Sequence, residues 1–369
     1  MLALLAACDI GETGADTGDS ADTGADTADT ADTADSADTG GDSGLPADDG
    51  WPAHFAAPYV DATAYPTVKV GDVAAETAVD HFTLAFVVAA SATACNATWG
   101  TYYDVDTGPS AWDAGSEYFL YDQVATLRAA GGDVMVSFGG AANTPLEAAC
   151  GSVEDVVAEY RRVIETLDLT RIDFDIEGSW VSDVDSVRRR SEAIVALQAW
   201  AASAGRPLHV WYTLPVLPTG LTADGLAVVQ DAVEAGVILD GVNVMTMDYG
   251  DGVAPDPEGH MGDYGIAALA ALNAQLAYAF PGAESDRWAH LGSTPMIGQN
   301  DVQSERFYVA DAEQTREFAE LHGVGMLGFW SINRDHPCAE ETEWASGSCN
   351  GFTDVGDWAY AEAFAGYGE

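Results

Sequence analysis

Three carboxylates occupy alternate positions of one short run, residues 172–177, whose other positions are Ile, Phe and Ile. Alternate side chains of a β-strand share one face, so Asp173, Asp175 and Glu177 are expected to point the same way. Desolvated like charges disfavour joint ionisation, and at least one acid should therefore hold a proton near neutral pH. Such a carboxyl is suited to general acid catalysis. A solvated face of an edge strand is the alternative interpretation.

The same run resembles the Asp-x-x-Asp-x-Asp-x-Glu signature on the fourth strand of glycoside hydrolase family 18, the chitinases and their relatives. Thr170 stands in place of the first acid. Other strings between residues 54 and 366 follow the family order. Residues 137–140, Ser-Phe-Gly-Gly, look like the Ser-x-Gly-Gly of strand three, and residues 245–249, Met-Thr-Met-Asp-Tyr, are similar to the Met-x-Tyr-Asp of strand six. Trp330 sits where strand eight carries the tryptophan under the scissile sugar.

The residues at 213–218 and 294–299 look closest to those of the bacterial and archaeal chitinase-D-like branch. The resemblance implies a retaining hydrolase of β-1,4-linked N-acetylglucosamine that needs no cofactor and acts on chitin or chito-oligosaccharide. Glu177 would protonate the glycosidic oxygen. Asp175 would share a proton with Asp173 before turning to the substrate, whose own acetamide oxygen attacks the anomeric carbon. Trp330 would form the floor under the distorted sugar.

The sixth strand departs from the family pattern, because Met247, Asp248 and Tyr249 replace Tyr followed by Asp. By alternation Met247 and Tyr249 share a face, so Tyr249 is expected to supply the phenol that steadies the acetamide. An ordinary rim aromatic is the alternative for Tyr249, and Tyr212 is a weaker candidate for the same task. Asp248 and Met247 are expected to bind substrate. Gln299 either hydrogen-bonds sugar or is a structural amide.

Eight apolar, β-branched runs alternate with helical patterns along the chain, which predicts an α/β fold of the (β/α)8 TIM-barrel type. Such barrels keep their active sites at the C-terminal ends of the strands, where the candidate residues fall. The predicted strands cover residues 55–60, 83–89, 134–140, 171–177, 208–215, 241–249, 289–298 and 326–332. Helices are predicted to begin after Ser152 and to end at Gly236, residues typical of an N-cap and a C-cap.

The chain is strongly acidic, with 60 Asp and Glu against 13 Lys and Arg and a net charge of −47. Nucleic acid is therefore excluded as a partner, because phosphate binding needs clustered basic residues. Residues 9–50 repeat Ala-Asp-Thr and Asp-Thr-Gly units without a basic or aromatic residue, which predicts a disordered acidic linker. The barrel is assigned to residues 51–369, and we expect a monomer.

Residues 1–8 resemble the end of a lipoprotein signal, with Cys8 as the lipidated cysteine, although the positive n-region is missing. A chance apolar start is the alternative. No run of 18 apolar residues is present, so contact with a membrane is expected only through a lipid at Cys8. The expected location is the cell surface, as an outward-facing lipoprotein, or the medium after secretion.

The other four cysteines form an even set, as in exported proteins with disulfides. Cys95 and Cys150 follow adjacent barrel strands and are predicted to pair, leaving Cys338 to pair with Cys349. A zinc site is the rival, but no Cys-x-x-Cys spacing occurs, so no metal is expected.

Two other functions stay open at this point. One is an endo-β-N-acetylglucosaminidase acting on N-glycans, and the other is a non-catalytic chitin- or glycan-binding protein on the same fold.

Overall fold

The computed structural model describes residues 49–109 and 119–368. Cys8 and residues 9–48 of the predicted linker lie outside these ranges. None of the helices within the described ranges is both long and apolar enough to cross a bilayer.

The described residues contain short strands, most of them in one sheet. They are β1 Phe55–Ala56, β2 Tyr59–Asp61, β3 His81–Ser91, β4 Ala94–Trp99, β5 Tyr103–Asp104, β6 Asp133–Gly139, β7 Arg171–Asp175, β8 His209–Pro215, β9 Gly241–Met245, β10 Leu291–Thr294, β11 Gly298–Gln299, β12 Arg306–Phe307 and β13 Met326–Leu327.

The sheet closes on itself. Strands β3, β6, β7, β8, β9, β10 and β13 pair in that order, all parallel. The first barrel strand is split in two: β1 pairs with β13, and β2 pairs with β3, so together they close the ring. The predicted (β/α)8 barrel is confirmed, and each predicted strand overlaps at least one observed strand. An antiparallel hairpin, β4 and β5, is added at the edge of β3.

Helices cover the outside of the barrel. They are α1 Val70–Thr77, α2 Phe119–Ala129, α3 Leu146–Ala149, α4 Val153–Leu167, α5 Val184–Ser203, α6 Ala223–Ala235, α7 Met261–Gln275, α8 Glu284–Arg287, α9 Val309–His322 and α10 Ala359–Phe364. Short 3-10 turns occur at Gly178–Val181, Leu276–Tyr278, Trp288–His290 and Ile332–Arg334.

Local sequence explains the ends of two of these helices. The Ser152 hydroxyl accepts a hydrogen bond from the Asp155 N–H and so satisfies one of the free donors at the start of α4. Helix α6 ends at Gly236, which adopts φ 94°, a backbone conformation that costs glycine little. The caps at Ser152 and Gly236 therefore act as the sequence predicts.

The N-terminal end of the barrel is closed by a cluster around Arg171. Its guanidinium lies 4.7 Å from the Trp51 ring centroid and 4.6 Å from that of Phe55. It also donates to both carboxylate oxygens of Asp49, at 3.1 and 3.2 Å. The Thr170 hydroxyl lies 3.4 Å from the same carboxylate. Asp49, which the sequence assigns to the linker, is thus bound to the barrel, so the end of the predicted linker is placed too late.

Both predicted disulfides are present. Cys95 pairs with Cys150, and Cys338 pairs with Cys349, with Cα–Cα distances of 4.6 and 5.1 Å. The first bond ties the added hairpin strand β4 to the end of α3. The second closes a loop that follows the last barrel strand.

Candidate active site

A cavity of about 280 Å³ opens at the C-terminal ends of the barrel strands. Its lining combines four carboxylates and three hydroxyls with a wall of aromatic and sulfur-containing side chains. The lining residues are Tyr59, Phe86, Ala141, Asp175, Glu177, Thr213, Met245, Met247, Asp248, Thr294, Met296, Asp301 and Trp330.

Asp173 lies beneath this cavity and is fully buried. Its carboxylate accepts hydrogen bonds from the hydroxyls of Ser137 at 2.6 Å, Thr213 at 2.7 Å and Tyr59 at 3.0 Å. Burial raises the pKa of Asp173 to about 6, even though these three donors favour the ionised form. Ser137 thus donates to the deepest of the three acids, a contact that the sequence does not indicate.

Asp175 and Glu177 form a pair above Asp173. Burial raises the pKa of Asp175 well above its usual range, and the nearby charges of Glu177 and Asp173 raise it further. A hydrogen bond between the two carboxyls raises the pKa of Asp175 and lowers that of Glu177, so Asp175 holds the proton in the free protein. Because hydroxyls occupy the oxygens of Asp173, Glu177 rather than Asp173 is the hydrogen-bonding partner of Asp175.

Glu177 is placed by the end of strand β7. The last ladder residue is Asp175, and Glu177 then caps the 3-10 turn Gly178–Val181. Burial raises the pKa of Glu177, and the charge of Asp248 adds to the increase. An elevated pKa suits a carboxyl that must keep a proton at neutral pH.

Two glycines allow the neighbouring strand to pass close to these acids. A Cβ atom on Gly139 would lie 2.1 Å from the Asp175 carbonyl oxygen, and one on Gly140 would lie 2.7 Å from the Phe86 ring. The Gly140 N–H donates to the same Asp175 carbonyl at 3.0 Å. The Ser-x-Gly-Gly string thus fixes the backbone of the catalytic strand.

Trp330 and Phe86 form the aromatic floor of the cavity. Their rings are stacked, with centroids 5.5 Å apart and planes inclined by 17°. The backbone of Trp330 is held by hydrogen bonds with Pro295 and Ile297. A pyranose ring has an apolar face of C–H groups, and such a floor can accept it.

On the sixth barrel strand, β9, the alternation of inward- and outward-facing side chains stops before Tyr249. Met247 and Asp248 both line the cavity. Asp248 has φ 52°, a left-handed conformation that turns the chain, and its carboxylate accepts from the Val302 N–H at 2.9 Å. Burial raises the pKa of Asp248, the Val302 contact lowers it, and the charge of Asp301 raises it.

Tyr249 is placed elsewhere. It is 7% exposed, it is absent from the cavity lining, and its ring lies 6.0 Å from that of Tyr264. Its backbone N–H donates to Glu305. The expectation that Tyr249 faces the cleft is therefore wrong in this structure, because the turn at Asp248 rotates its side chain out of register.

Two further candidates also lie outside the cavity. Tyr212 is fully buried and packs against Phe174 on the helix side of the sheet, since Thr213 takes the inward position on β8. Gln299 is fully buried as well. Its amide donates to backbone carbonyls and its oxygen accepts from Arg306, so it is a structural amide.

The sequence interpretation missed several residues that line the cavity. Phe86 turns inward where the pairing of β3 with β6 shifts register, a distortion that simple alternation does not predict. Asp301 lies in a loop after β11, and the sequence around it has no motif that indicates a binding residue. Tyr59 lies on the short β2, and its hydroxyl contacts Asp173. Within residues 49–109 and 119–368, no group of His, Cys, Asp or Glu side chains has the arrangement to hold a metal ion.

Comparison with known proteins bears on this barrel and its acids. No family model matches the chain. A probable bifunctional chitinase/lysozyme of Escherichia coli K12 is 44% identical over 292 residues, which are 78% of this chain and 31% of that protein. Endochitinase 11 of Metarhizium anisopliae is 43% identical over 294 residues, which are 78% of this chain and 54% of that protein.

This chain thus spans 31% and 54% of the lengths of these two relatives. The crystal structure of the catalytic domain of a hyperthermophilic chitinase from Pyrococcus furiosus has a TM-score of 0.72 and 30% identity, over 85% of this chain and 94% of that one. The chain belongs to the chitinases of glycoside hydrolase family 18.

Proposed function

We propose that this protein is a retaining chitinase that cleaves β-1,4-linked N-acetylglucosamine with help from the acetamide of its own substrate. The observation that carries the proposal is the Asp175–Glu177 pair, a buried and a half-buried carboxyl joined by a hydrogen bond at the end of one strand. The aromatic floor of Trp330 and Phe86 borders the same cavity. Both relatives are named as chitinases, which supports the same substrate class.

In the proposed reaction the proton shared by the pair resides on Glu177 once substrate is bound. Glu177 donates it to the glycosidic oxygen as the leaving bond breaks. The acetamide oxygen then forms the bond to the anomeric carbon and gives a cationic oxazolinium. Asp175, now ionised, accepts a hydrogen bond from the acetamide N–H and stabilises that positive charge in a dry site.

The second half of the reaction returns the proton. Water attacks the anomeric carbon, the carboxylate of Glu177 removes its proton, and the acetamide is released with the original configuration. Asp173 lies beneath the cavity, its carboxylate accepts from three hydroxyls that favour its ionised form, and it does not reach the substrate. Its proposed task is to set the charge beneath Asp175.

Product stereochemistry tests this proposal. Proton NMR of the first products from a chito-oligosaccharide should show the β-anomer, and an initial excess of α-anomer would overturn the mechanism. Fully deacetylated chitosan lacks the acetamide and should not be cut. A thiazoline mimic of the oxazolinium should inhibit, because the site is complementary to that species.

Parallel assays separate this function from the alternatives. A high-mannose glycopeptide tests for an endo-β-N-acetylglucosaminidase, and peptidoglycan is included because the name of the E. coli relative also covers lysozyme. Binding of chito-oligosaccharide without any cleavage would favour a glycan-binding protein.

The chitinase-D-like branch and the lipoprotein anchor belong to the proposal as well. Cys8 would carry lipid, and residues 9–48 would separate the barrel from the membrane surface. The string Leu5-Ala6-Ala7-Cys8 supports this location. Cys8→Ser should move the protein from the membrane fraction to the soluble fraction and abolish labelling with a lipid precursor; unchanged fractionation would contradict the anchor.

A further inference from the structure

Glu305 is a fully buried carboxyl that the proposed reaction does not use. It lies between β11 and β12, outside the lining of the catalytic cavity. Its two oxygens accept hydrogen bonds from successive backbone N–H groups of another loop, that of Tyr249 at 3.0 Å and that of Gly250 at 2.6 Å. Each oxygen thus has a backbone donor, which offsets part of the cost of burying the carboxylate.

The two donors follow directly after Asp248. Its φ of 52° is a left-handed conformation, which a residue other than glycine keeps only where the surroundings hold it. This turn brings the Asp248 side chain into the cavity lining and turns that of Tyr249 away. By binding the next two N–H groups, Glu305 stabilises the backbone conformation on which the position of Asp248 depends.

The contact between the two loops runs in both directions. The Val302 N–H donates to the Asp248 carboxylate at 2.9 Å, and the Ser304 hydroxyl donates to the Asp251 carboxylate at 2.5 Å. Together with the two bonds to Glu305, these contacts join residues 248–251 to residues 302–305. Glu305 is the only one of these partners that binds the backbone on the far side of Asp248 twice.

Glu305 is itself held in a buried frame. Its carbonyl accepts from the Asn300 N–H at 3.1 Å and from the Gln299 amide at 3.3 Å. The Arg334 guanidinium donates to the carbonyls of Ile297 at 2.9 Å and Gln299 at 2.5 Å. All five side chains are buried, so the carboxylate of Glu305 is presented by a packed part of the barrel.

The position of Asp248 matters because its charge acts on the catalytic pair. Asp248 and Glu177 both line the cavity, and the charge of Asp248 raises the pKa of Glu177. Asp175 is the other carboxyl that interacts with Glu177. Asp301 and Arg334 act on Asp248 with opposite signs, since the first raises its pKa and the second lowers it.

We propose that Glu305 is a positioning residue, which holds the carboxylate of Asp248 where its charge acts on Glu177. This inference rests on the proposed function, in which Glu177 protonates the glycosidic oxygen. Glu305 acts through the turn at residues 248–250 and does not touch the substrate. The titratable groups that face it are the carboxyl of Asp248 and the phenol of Tyr249.

Two variants separate the position of the Glu305 oxygens from their charge. Glu305→Gln keeps the length of the side chain, but its NH₂ group opposes one of the two N–H donors. Glu305→Asp keeps the charge and withdraws both oxygens by one methylene. Each is made in the full chain, alone and combined with Asp248→Asn.

Asp311→Asn is the matched control. Asp311 is also buried, and its two oxygens accept from the backbone N–H groups of Gly262 at 2.9 Å and Tyr308 at 2.8 Å. It is absent from the cavity lining and does not bind the turn at Asp248. The control therefore removes the same kind of contact, and a comparable amount of stability in urea unfolding, without moving Asp248.

Both Glu305 variants should lower kcat/KM for a soluble chito-oligosaccharide by about three- to tenfold, and by no more than Asp248→Asn does. In the Asp248→Asn background the same changes should have less than about a twofold effect, because the residue through which Glu305 acts is already lost. Asp311→Asn should stay within about twofold in both backgrounds.

The pH profile gives a readout that a loss of stability alone does not move. The high-pH limb of kcat/KM reports loss of the proton that Asp175 and Glu177 share. Once the turn is released, the carboxylate of Asp248 moves toward water and raises this pKa less. The limb should therefore move to lower pH by roughly half a unit in both Glu305 variants, and should not move in Asp311→Asn.

Undiminished kcat/KM in both Glu305 variants would overturn the inference, as would an equal fold loss with and without Asp248. A shift of the limb in Glu305→Gln but not in Glu305→Asp would also overturn it, since the charge would then act directly. If neither variant folds while Asp311→Asn does, Glu305 is a residue of the fold and not a positioning residue. Failure of the proposed function gives a different result: the wild type itself would leave the chito-oligosaccharide uncut.

Discussion

The hydroxyl of Ser137 offers the sharpest test of the electrostatics beneath the active site. It donates at 2.6 Å to Asp173, a fully buried carboxyl whose pKa is raised to about 6. A hydrogen bond to a charged acceptor contributes about 1.5–3 kcal/mol, against about 0.5–1.5 kcal/mol to a neutral one. In Ser137→Ala, the ionised form of Asp173 therefore loses about 1.4 kcal/mol more than the neutral form, which raises its pKa by roughly one unit.

The sign of the pH effect follows from linkage. The folded pKa of Asp173 lies above its unfolded value, so the folded protein binds the extra proton and this contribution to stability declines as pH rises toward 6. In Ser137→Ala the decline continues to roughly pH 7. Relative to wild type, the variant should lose about 1 kcal/mol at pH 5 and about 2.5 kcal/mol at pH 8.

Urea unfolding at the two pH values measures this difference. Ser191→Ala is the matched control, because Ser191 is also fully buried but its hydroxyl donates to the neutral carbonyl of Val187 at 3.1 Å. Its loss should be the same at pH 5 and pH 8. If Ser137→Ala shows an equally pH-independent loss, Asp173 is not ionised in the folded protein at pH 8 and the reasoning is refuted.

Three other predictions concern the cavity and the last loop. Glu177→Gln should fold and bind chito-oligosaccharide while activity falls by about 10²–10⁴-fold, because the amide cannot donate the proton; more than a tenth of wild-type activity would remove Glu177 from that role. Tyr249→Phe should change kcat/KM by less than about threefold, since its phenol lies outside the cavity. Asp248→Asn should lower kcat/KM by about tenfold or more, because a carboxylate in the lining is lost. Steady-state kinetics that showed the larger loss in Tyr249→Phe would contradict this prediction. Replacing Cys338 and Cys349 together by Ser should lower the free energy of unfolding by about 2–3 kcal/mol, since the bond closes a short loop; an unchanged urea midpoint would count against a formed disulfide.

Much of the scaffold could be predicted because its signals are periodic and local. The alternating acids of residues 172–177 indicate one polar face of a strand, and the structure places Asp173 and Asp175 on that face. The eight-strand count and both disulfides follow from hydrophobic runs and their order. These features depend on neighbours in sequence, which a sequence displays directly.

The details of the site depend instead on departures from periodicity. A register shift in β3 turns Phe86 inward, and the left-handed Asp248 turns Tyr249 away. The residue types of Phe86 and Asp248 do not indicate these changes in backbone conformation. The partners of Asp173 come from three different strands, so Ser137 shows its role only after the barrel closes.

The Asp49–Arg171 contact has a mechanical consequence. The chain joins the barrel at the start of β7, while the carboxyls of the cavity lie at the other end of the same strand. A force applied to the chain at Asp49 would therefore load the end of the barrel opposite the cavity. It would not pull on the strand ends and loops that form the cavity.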